Sequence, residues 1–188
     1  MLGKWKKIKT EEVYHCGKWY RVEKDKVLTP GGKEGVYYVI RKDQSSVVII
    51  AVDKNNNIYL TRQHRYTVNK FSVEFPAGWT DKKEPILHSA KRELAEEMSL
   101  ASNNWKKIGE YVQVAGMSSL KMSIYLAKDC RKSEKIKKDP SDKNLHETLI
   151  LKYFELRKLI ATGKIFDSVT LCAFAVAESQ GVFDKHKR

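Results

Sequence analysis

Three carboxylates fall within five residues in the segment Arg92-Glu93-Leu94-Ala95-Glu96-Glu97. On an α-helix, positions i, i+3 and i+4 share a face, so Glu93, Glu96 and Glu97 project into one sector. Like charges at that spacing oppose a helix by roughly a few tenths of a kcal/mol per pair. A divalent cation removes the repulsion, and Mg²⁺ or Mn²⁺ takes hard oxygen ligands of this type. The chemistry open to such a face is metal-assisted displacement at an anionic centre; the plain alternative is a solvated, charged helix surface. Leu87, Ala90, Leu94 and Met98 form the adjoining apolar stripe, which predicts a helix packed on a core.

The wider spacing decides between the two. From Gly78 the chain runs five residues to Glu84, seven more to Arg92, then Arg-Glu-Leu-x-Glu-Glu and on to Leu100. This pattern resembles the signature box of the Nudix hydrolases, enzymes that cleave nucleoside diphosphates linked to another group. The match covers Gly78, Glu84, Arg92, Glu93, Leu94, Glu96, Glu97 and Leu100; Ser99 stands where the family has glycine. The resemblance implies that Glu93 and Glu97 are the principal metal ligands, with Glu96 as ligand or water-holder, joined by the Ala77 carbonyl oxygen at a tight turn that Gly78 permits. Arg92 has the planar fork to brace those carboxylates, and Glu84 is placed to anchor the junction between loop and helix.

Other segments extend the likeness to the branch that hydrolyses ADP-ribose and nucleoside-diphosphate sugars. Trp19 resembles that branch's adenine-stacking tryptophan, with Tyr37 as the second flat side chain. Arg65, in Arg62-Gln63-His64-Arg65, resembles the arginine on the substrate diphosphate, and Glu74 is expected to orient either the substrate or that arginine. The branch's general base is a glutamate after a long loop, which maps to Glu147, with Asp142 as fallback. Ala115-Gly116-Met117-Ser118-Ser119-Leu120 lacks both the proline and the glutamate of a related Pro-Gly-x-Ser motif. A sensor that binds ADP-ribose-like ligands without turnover, or an RNA-directed Nudix enzyme, are the competing readings.

The elements that must position these residues follow from periodicity. GKWYRVEKDKVL and VYYVIR, around TPGGKEG, predict an antiparallel β-hairpin within residues 17–41. SSVVIIAVD is a continuous apolar run and therefore a buried strand. IYLTRQHRY, FSVEF, WKKIGEYVQV, KMSIYLA and ETLILKYF read as further strands. ELRKLIAT, ending at Gly163, and SVTLCAFAVAESQ read as helices. Strands interleaved with three helices predict an α/β fold, and the resemblance specifies a Nudix αβα sandwich with a mixed sheet. Residues 1–42 are expected to form an N-terminal strand subdomain for dimerisation and base binding, and 43–188 the hydrolase domain. The polar, lysine-rich stretch 129–146 is a long loop, either a lid or a plain connection.

Composition bounds the partners. A chain of 188 residues, 41% hydrophobic and 31% charged, can build one proper core. The start MLGKWKKIKTEE lacks the apolar run of a secretory signal, and no stretch approaches the ~20 apolar residues that cross a bilayer. Three widely spaced cysteines, Cys16, Cys130 and Cys172, suit reduced thiols in a cytoplasm. The net charge of +13 comes from scattered lysines, with no RNA-recognition signature. It fits attraction for an anionic diphosphate better than dedicated nucleic-acid binding. Expected partners are a small nucleoside-diphosphate substrate, Mg²⁺ or Mn²⁺, and a second copy of the chain joined through the N-terminal strands; no membrane partner is expected.

Overall fold

The computed structural model describes residues 2–133 and 145–184. The chain divides into two units, Met1–Ser45 with Val112–Lys121, and Ser46–Tyr111 with Met122–Arg188. Most of the lysine-rich loop, including Asp142, lies outside the described residues, as does the question of a lid.

The first unit is a three-stranded antiparallel sheet in the order β1 (Lys6–Cys16), β2 (Tyr20–Leu28), β3 (Glu34–Arg41). The expected hairpin thus gains a third strand. β1 escapes a periodicity reading because almost all of its residues are exposed on both faces, and no apolar alternation marks it. Its sheet is knit by buried charge: Asp25 accepts from Thr10 and Arg41, and Glu23 accepts from Arg21 and Arg41. The Val112–Lys121 segment joins this unit through Ile40, whose N–H donates to the Met117 carbonyl and whose carbonyl accepts from Ser118 Oγ.

The second unit is built on a mixed sheet whose main path is β12 (His146–Leu151), β5 (Ile58–Arg65), β4 (Ser46–Val52), β10 (Lys121–Lys128) and β9 (Asn104–Val112). β4 and β10 run parallel, while β4–β5 and β5–β12 are antiparallel. β6 (Lys70–Glu74) continues beside β5 and β7 (Ala77–Trp79) beside β4, while the short β8 (Leu100–Ala101) and β11 (Arg131–Lys132) pair with each other. β4 is buried along its whole length, which is why its sequence is an unbroken apolar run. Its odd-numbered residues Val47, Ile49 and Ala51 pack with Ala90, Leu94 and Met98 of helix α1 (Ile86–Met98). Its even-numbered residues Val48, Ile50 and Val52 pack with Leu156 of α2 (Tyr153–Ala161) and with Ala173 and Ala177 of α3 (Ser168–Ser179). One helix lies on one face and two on the other: an αβα sandwich.

Two boundaries differ from expectation. The strand read in ETLILKYF stops at Leu151, because the Lys152 N–H donates to the Glu155 carboxylate (2.7 Å) and Tyr153 opens α2 with its ring buried. Gly78 sits not in a tight turn but in the short strand β7, and it is absent from the glycines with positive φ. The reason for glycine there emerges from the site. Ser99 does close α1 in the left-handed region (φ 54°, ψ 38°), its N–H donating to the Ala95 carbonyl. Among the described residues no helix is long and apolar enough to cross a membrane, and all three cysteines are free thiols.

Candidate active site

The acids of α1 meet β7 across a very small gap. A Cβ built on Gly78 would overlap the Glu93 carboxylate, so glycine here leaves that carboxylate its place against β7 rather than serving a bend. Pairing of β7 with β4 also sets the carbonyl beside it. The Ile49 N–H donates to the Pro76 carbonyl at 2.8 Å. Antiparallel alternation then leaves Ala77, opposite Val48, with its N–H and C=O directed away from β4. The Ala77 N–H is taken up by the Glu97 carboxylate, and its carbonyl points out along the same edge.

Arg92 ties the cluster together. Its Nη1 donates to Glu93 Oε1 and Glu96 Oε2, each at 2.9 Å, and its Nη2 donates to the Trp79 carbonyl (2.9 Å) and to Glu84 Oε2 (3.3 Å). The fork therefore holds helix, strand and preceding loop in one geometry, as a planar guanidinium can and an ammonium cannot. Glu84 is the floor of this arrangement. It accepts from Ser89 Oγ (2.6 Å), His88 Nδ1 (2.7 Å) and the Asp81 N–H (3.1 Å). Burial works to raise its pKa, but these hydrogen bonds and Arg92 outweigh it and hold the carboxyl well below the usual range.

Glu97 is the opposite case. Burial, with the Glu93 charge beside it, pushes its carboxyl up to about 8 against the opposing pull of the Ala77 N–H and Arg65. Its Oε2 is buried with no hydrogen-bond partner among the described residues. Glu93 is raised as well, chiefly by burial, despite Arg92. Among the described residues no three His, Cys, Asp or Glu side chains converge as a finished cation site; Glu93 and Glu96 are turned to Arg92. The donor set nonetheless fits a hard divalent cation. It holds an orphaned carboxylate oxygen, an outward backbone carbonyl and two further carboxylates within one helical turn.

Arg65 and Glu74 form a second element of the site. Arg65 grips Glu74 with both ends of its fork, Nε to Oε1 at 2.8 Å and Nη2 to Oε2, and Gln63 Nε2 adds a bond to Oε2 (3.2 Å). Glu74 is buried while Arg65 remains half exposed, so the guanidinium is fixed from behind and open in front. Arg65 is held more firmly protonated by Glu74, with Asp167 and Glu97 adding to the field.

Three of the expected site residues are not assembled in this way. Glu147 pairs with Arg62 across β12 and β5, accepting from Nη1 at 2.8 Å. Strand alternation puts it on the opposite face from its neighbour His146, whose Nε2 meets the Glu97 carbonyl at 2.9 Å. Glu147 therefore faces away from the α1 acids. Trp19 lies in the turn before β2, 58% exposed, with the ammonium groups of Lys18 and Lys42 above its ring. Tyr37 pairs with Asp25, five residues along β2 from Tyr20, and donates its hydroxyl to the Gly116 carbonyl. That register sets the two positions roughly 17 Å apart along the strand, and the Tyr37 ring meets Trp5 edge-on instead, with centroids 6.1 Å apart. His146 on Glu97, the Trp79 carbonyl on Arg92, and Gln63 on Glu74 carry no signal in the sequence, because each contact joins separate elements.

The NUDIX domain profile matches residues 42–174, and the nucleoside diphosphate sugar hydrolase N-terminal domain profile matches residues 5–40. An ADP-ribose pyrophosphatase of Mycobacterium tuberculosis is 32% identical over 123 residues, covering 65% of this chain and 59% of that protein. A methanol dehydrogenase activator of Bacillus methanolicus is 28% identical over 97% of this chain and 96% of its own length. An ADP-ribose pyrophosphatase of Bacillus subtilis is 25% identical over 89% of each chain. A crystal structure of an ADP compounds hydrolase superimposes with a TM-score of 0.83 at 18% identity, covering 98% of this chain and 97% of that one; it shows the shared fold.

Proposed function

The chain belongs to the Nudix family, and from that premise we propose that it hydrolyses the diphosphate of ADP-ribose or a related nucleoside-diphosphate sugar. The products would be a nucleoside monophosphate and a sugar phosphate. The observation that carries this reading is the α1–β7 contact. Glu97 presents a buried oxygen, unpartnered among the described residues, beside the outward Ala77 carbonyl, and Gly78 gives Glu93 the room to lie alongside.

Glu93, Glu97 and the Ala77 carbonyl would hold a divalent cation, Mg²⁺ or Mn²⁺, with Glu96 completing the set. The ion, when bound, supplies neutralisation of the diphosphate charge and a lowered pKa for coordinated water. Arg92 keeps Glu93 and Glu96 aligned. Arg65, backed by Glu74, offers its open guanidinium face to the substrate phosphates. Much of phosphoryl chemistry is positioning and electrostatics, and this constellation supplies both.

Glu147 would reach the attacking water only by leaving Arg62. The water is assigned to Glu96, the most exposed of the α1 acids, which Arg92 engages through Oε2. Trp19 and Tyr37 would each offer an aromatic face to a nucleobase, separately rather than as two sides of one slot. Pairing with a second copy through the exposed aromatics of the N-terminal sheet, and a cytoplasmic setting, complete the reading.

The test is release of nucleoside monophosphate from ADP-ribose and a panel of ADP- and UDP-sugars with Mg²⁺, followed by mass spectrometry in ¹⁸O water. Turnover is expected with at least one of them, and the label identifies the phosphorus attacked. Binding without turnover, with Mn²⁺ as well as Mg²⁺, would replace the hydrolase reading with that of a ligand sensor.

A further inference from the structure

The segment Glu74-Phe75-Pro76-Ala77 delivers two parts of the site at once, Glu74 behind Arg65 and Ala77 against Glu97. It lies where β6 has ended and β7 is beginning, so strand pairing holds it only in part. On one side the Ile49 N–H bonds the Pro76 carbonyl. On the other, the Phe75 N–H is buried between the two strands and has no ladder partner of its own. It donates instead to Thr170 Oγ1 on α3, 95 residues away in sequence, at 3.1 Å.

Thr170 is fully buried and its hydroxyl is not free to turn. That hydroxyl donates to Asp167 Oδ2 at 2.8 Å, and the Thr170 N–H meets the same oxygen at 2.8 Å, where Asp167 caps the helix. A hydroxyl that gives its proton to a carboxylate presents a lone pair in a fixed direction, and here that direction is the Phe75 N–H. The Phe75 ring is itself sunk in the core with α2 and α3. The first turn of α3 thereby sets the height of a segment that carries Glu74 behind Arg65 at one end and the Ala77 N–H on Glu97 at the other.

We propose that Thr170, oriented by Asp167, is a positioning residue that holds Glu74 and Ala77 in register with Arg65 and Glu97. An ordinary helix cap would be satisfied by the Thr170 N–H alone; the hydroxyl's second bond, to another element, is what adds the coupling. This rests on the hydrolase reading for its kinetic consequence, but the structural consequence stands apart from it.

The test compares Thr170→Val, which keeps shape and removes the hydroxyl, with Thr170→Ser, which restores it. Asp167→Ala leaves the hydroxyl but frees its direction. Ala177→Gly, at the far end of α3, is a control for general loosening. Three readouts on the full chain are amide exchange at Phe75 and Ala77, Mn²⁺ affinity by calorimetry without substrate, and kcat and KM with ADP-ribose.

Thr170→Val is expected to speed exchange at Phe75 and Ala77 more than tenfold and to weaken Mn²⁺ binding about tenfold. It should lower kcat about tenfold with KM changed less, and Thr170→Ser should stay within about twofold of the parent. If Thr170→Val does not fold, Asp167→Ala carries the same expectations at smaller size. The proposal is overturned if a folded Thr170→Val or Asp167→Ala keeps parental Mn²⁺ affinity and Ala77 protection, or if Ala177→Gly reproduces the losses at equal thermal stability. Should the parent show no turnover at all, the hydrolase reading fails, while exchange and Mn²⁺ affinity still decide the role of Thr170.

Discussion

Glu97 combines a buried carboxylate, an unpartnered oxygen and a pKa pushed up to about 8, and each has a measurable consequence. Replacement by Gln keeps the volume and removes the charge, so turnover should fall more than about a hundredfold, beyond the usual loss for an outer-shell partner of a metal. Circular dichroism should report an intact fold. The raised pKa also fixes a sign. Between the ordinary value of 4.5 and about 8, the metal-free folded state holds a proton on Glu97 that the unfolded state has lost. The corresponding stability is fully present below the unfolded pKa and drains away as pH rises through the folded one. Thermal melts of metal-free protein should therefore fall from pH 6 to pH 9 more steeply in the parent than in Glu97→Gln. Cation affinity should move the other way, rising by up to roughly tenfold per pH unit until Glu97 has lost its proton. An equal pH slope in the two proteins would remove Glu97 as the titrating group.

At the scale of elements, two short pieces of backbone carry the α1–β7 contact. Gly78→Ala places a methyl group on the Glu93 carboxylate. Only the carboxylate end of Glu93 is met, and it can swing aside, so stability in denaturant unfolding should change little while cation binding is impaired. At the other end of α1, Ser99 occupies a left-handed conformation that glycine adopts without strain. Ser99→Gly should thus stabilise the protein by roughly 0.5–1 kcal/mol, seen as a raised Tm. Arg92 links α1 to the Trp79 carbonyl and to Glu84 as well as to Glu93 and Glu96. Lysine cannot reproduce that fork, so Arg92→Lys should lose about 10–100-fold in kcat/KM while remaining folded. Full activity in Arg92→Lys would mean that charge alone, not geometry, is what the helix needs.

For the molecule as a whole, the N-terminal sheet leaves Trp5, Ile8, Val13, Tyr14 and Tyr38 exposed within one chain. A three-stranded sheet bare on this scale is an adhesive surface. Sedimentation should accordingly give a mass near twice the 21.7 kDa of one chain, and Tyr38→Glu should shift it toward the monomer. Persistence of a single-chain mass at micromolar concentration would refute the pairing. The charge of +13 should appear as ionic-strength dependence of KM for an anionic diphosphate, and as no more than weak, strongly salt-sensitive RNA binding.

Local spacing made the acidic helix legible in advance. The acids of α1, the Leu87–Met98 stripe and the unbroken apolar β4 each follow from a period within one element, and a period survives in sequence. So does the order of strands and helices, from which an α/β fold could be drawn; the αβα sandwich itself came from the family resemblance. What sequence could not carry were contacts between elements. β1 was invisible because an exposed strand has no buried face to write a pattern. Gly78 proved to be glycine for the sake of Glu93, fifteen residues on, rather than for its own turn. Glu147 turned out to face Arg62 because strand alternation, one residue from His146, decides the side on which a side chain emerges. Thr170 reaches Phe75 only because helix and strand pack across a shared core. The kind of chemistry resides in residue types and their local repeat; which groups meet is decided by burial and strand register, and those exist only once the chain has folded.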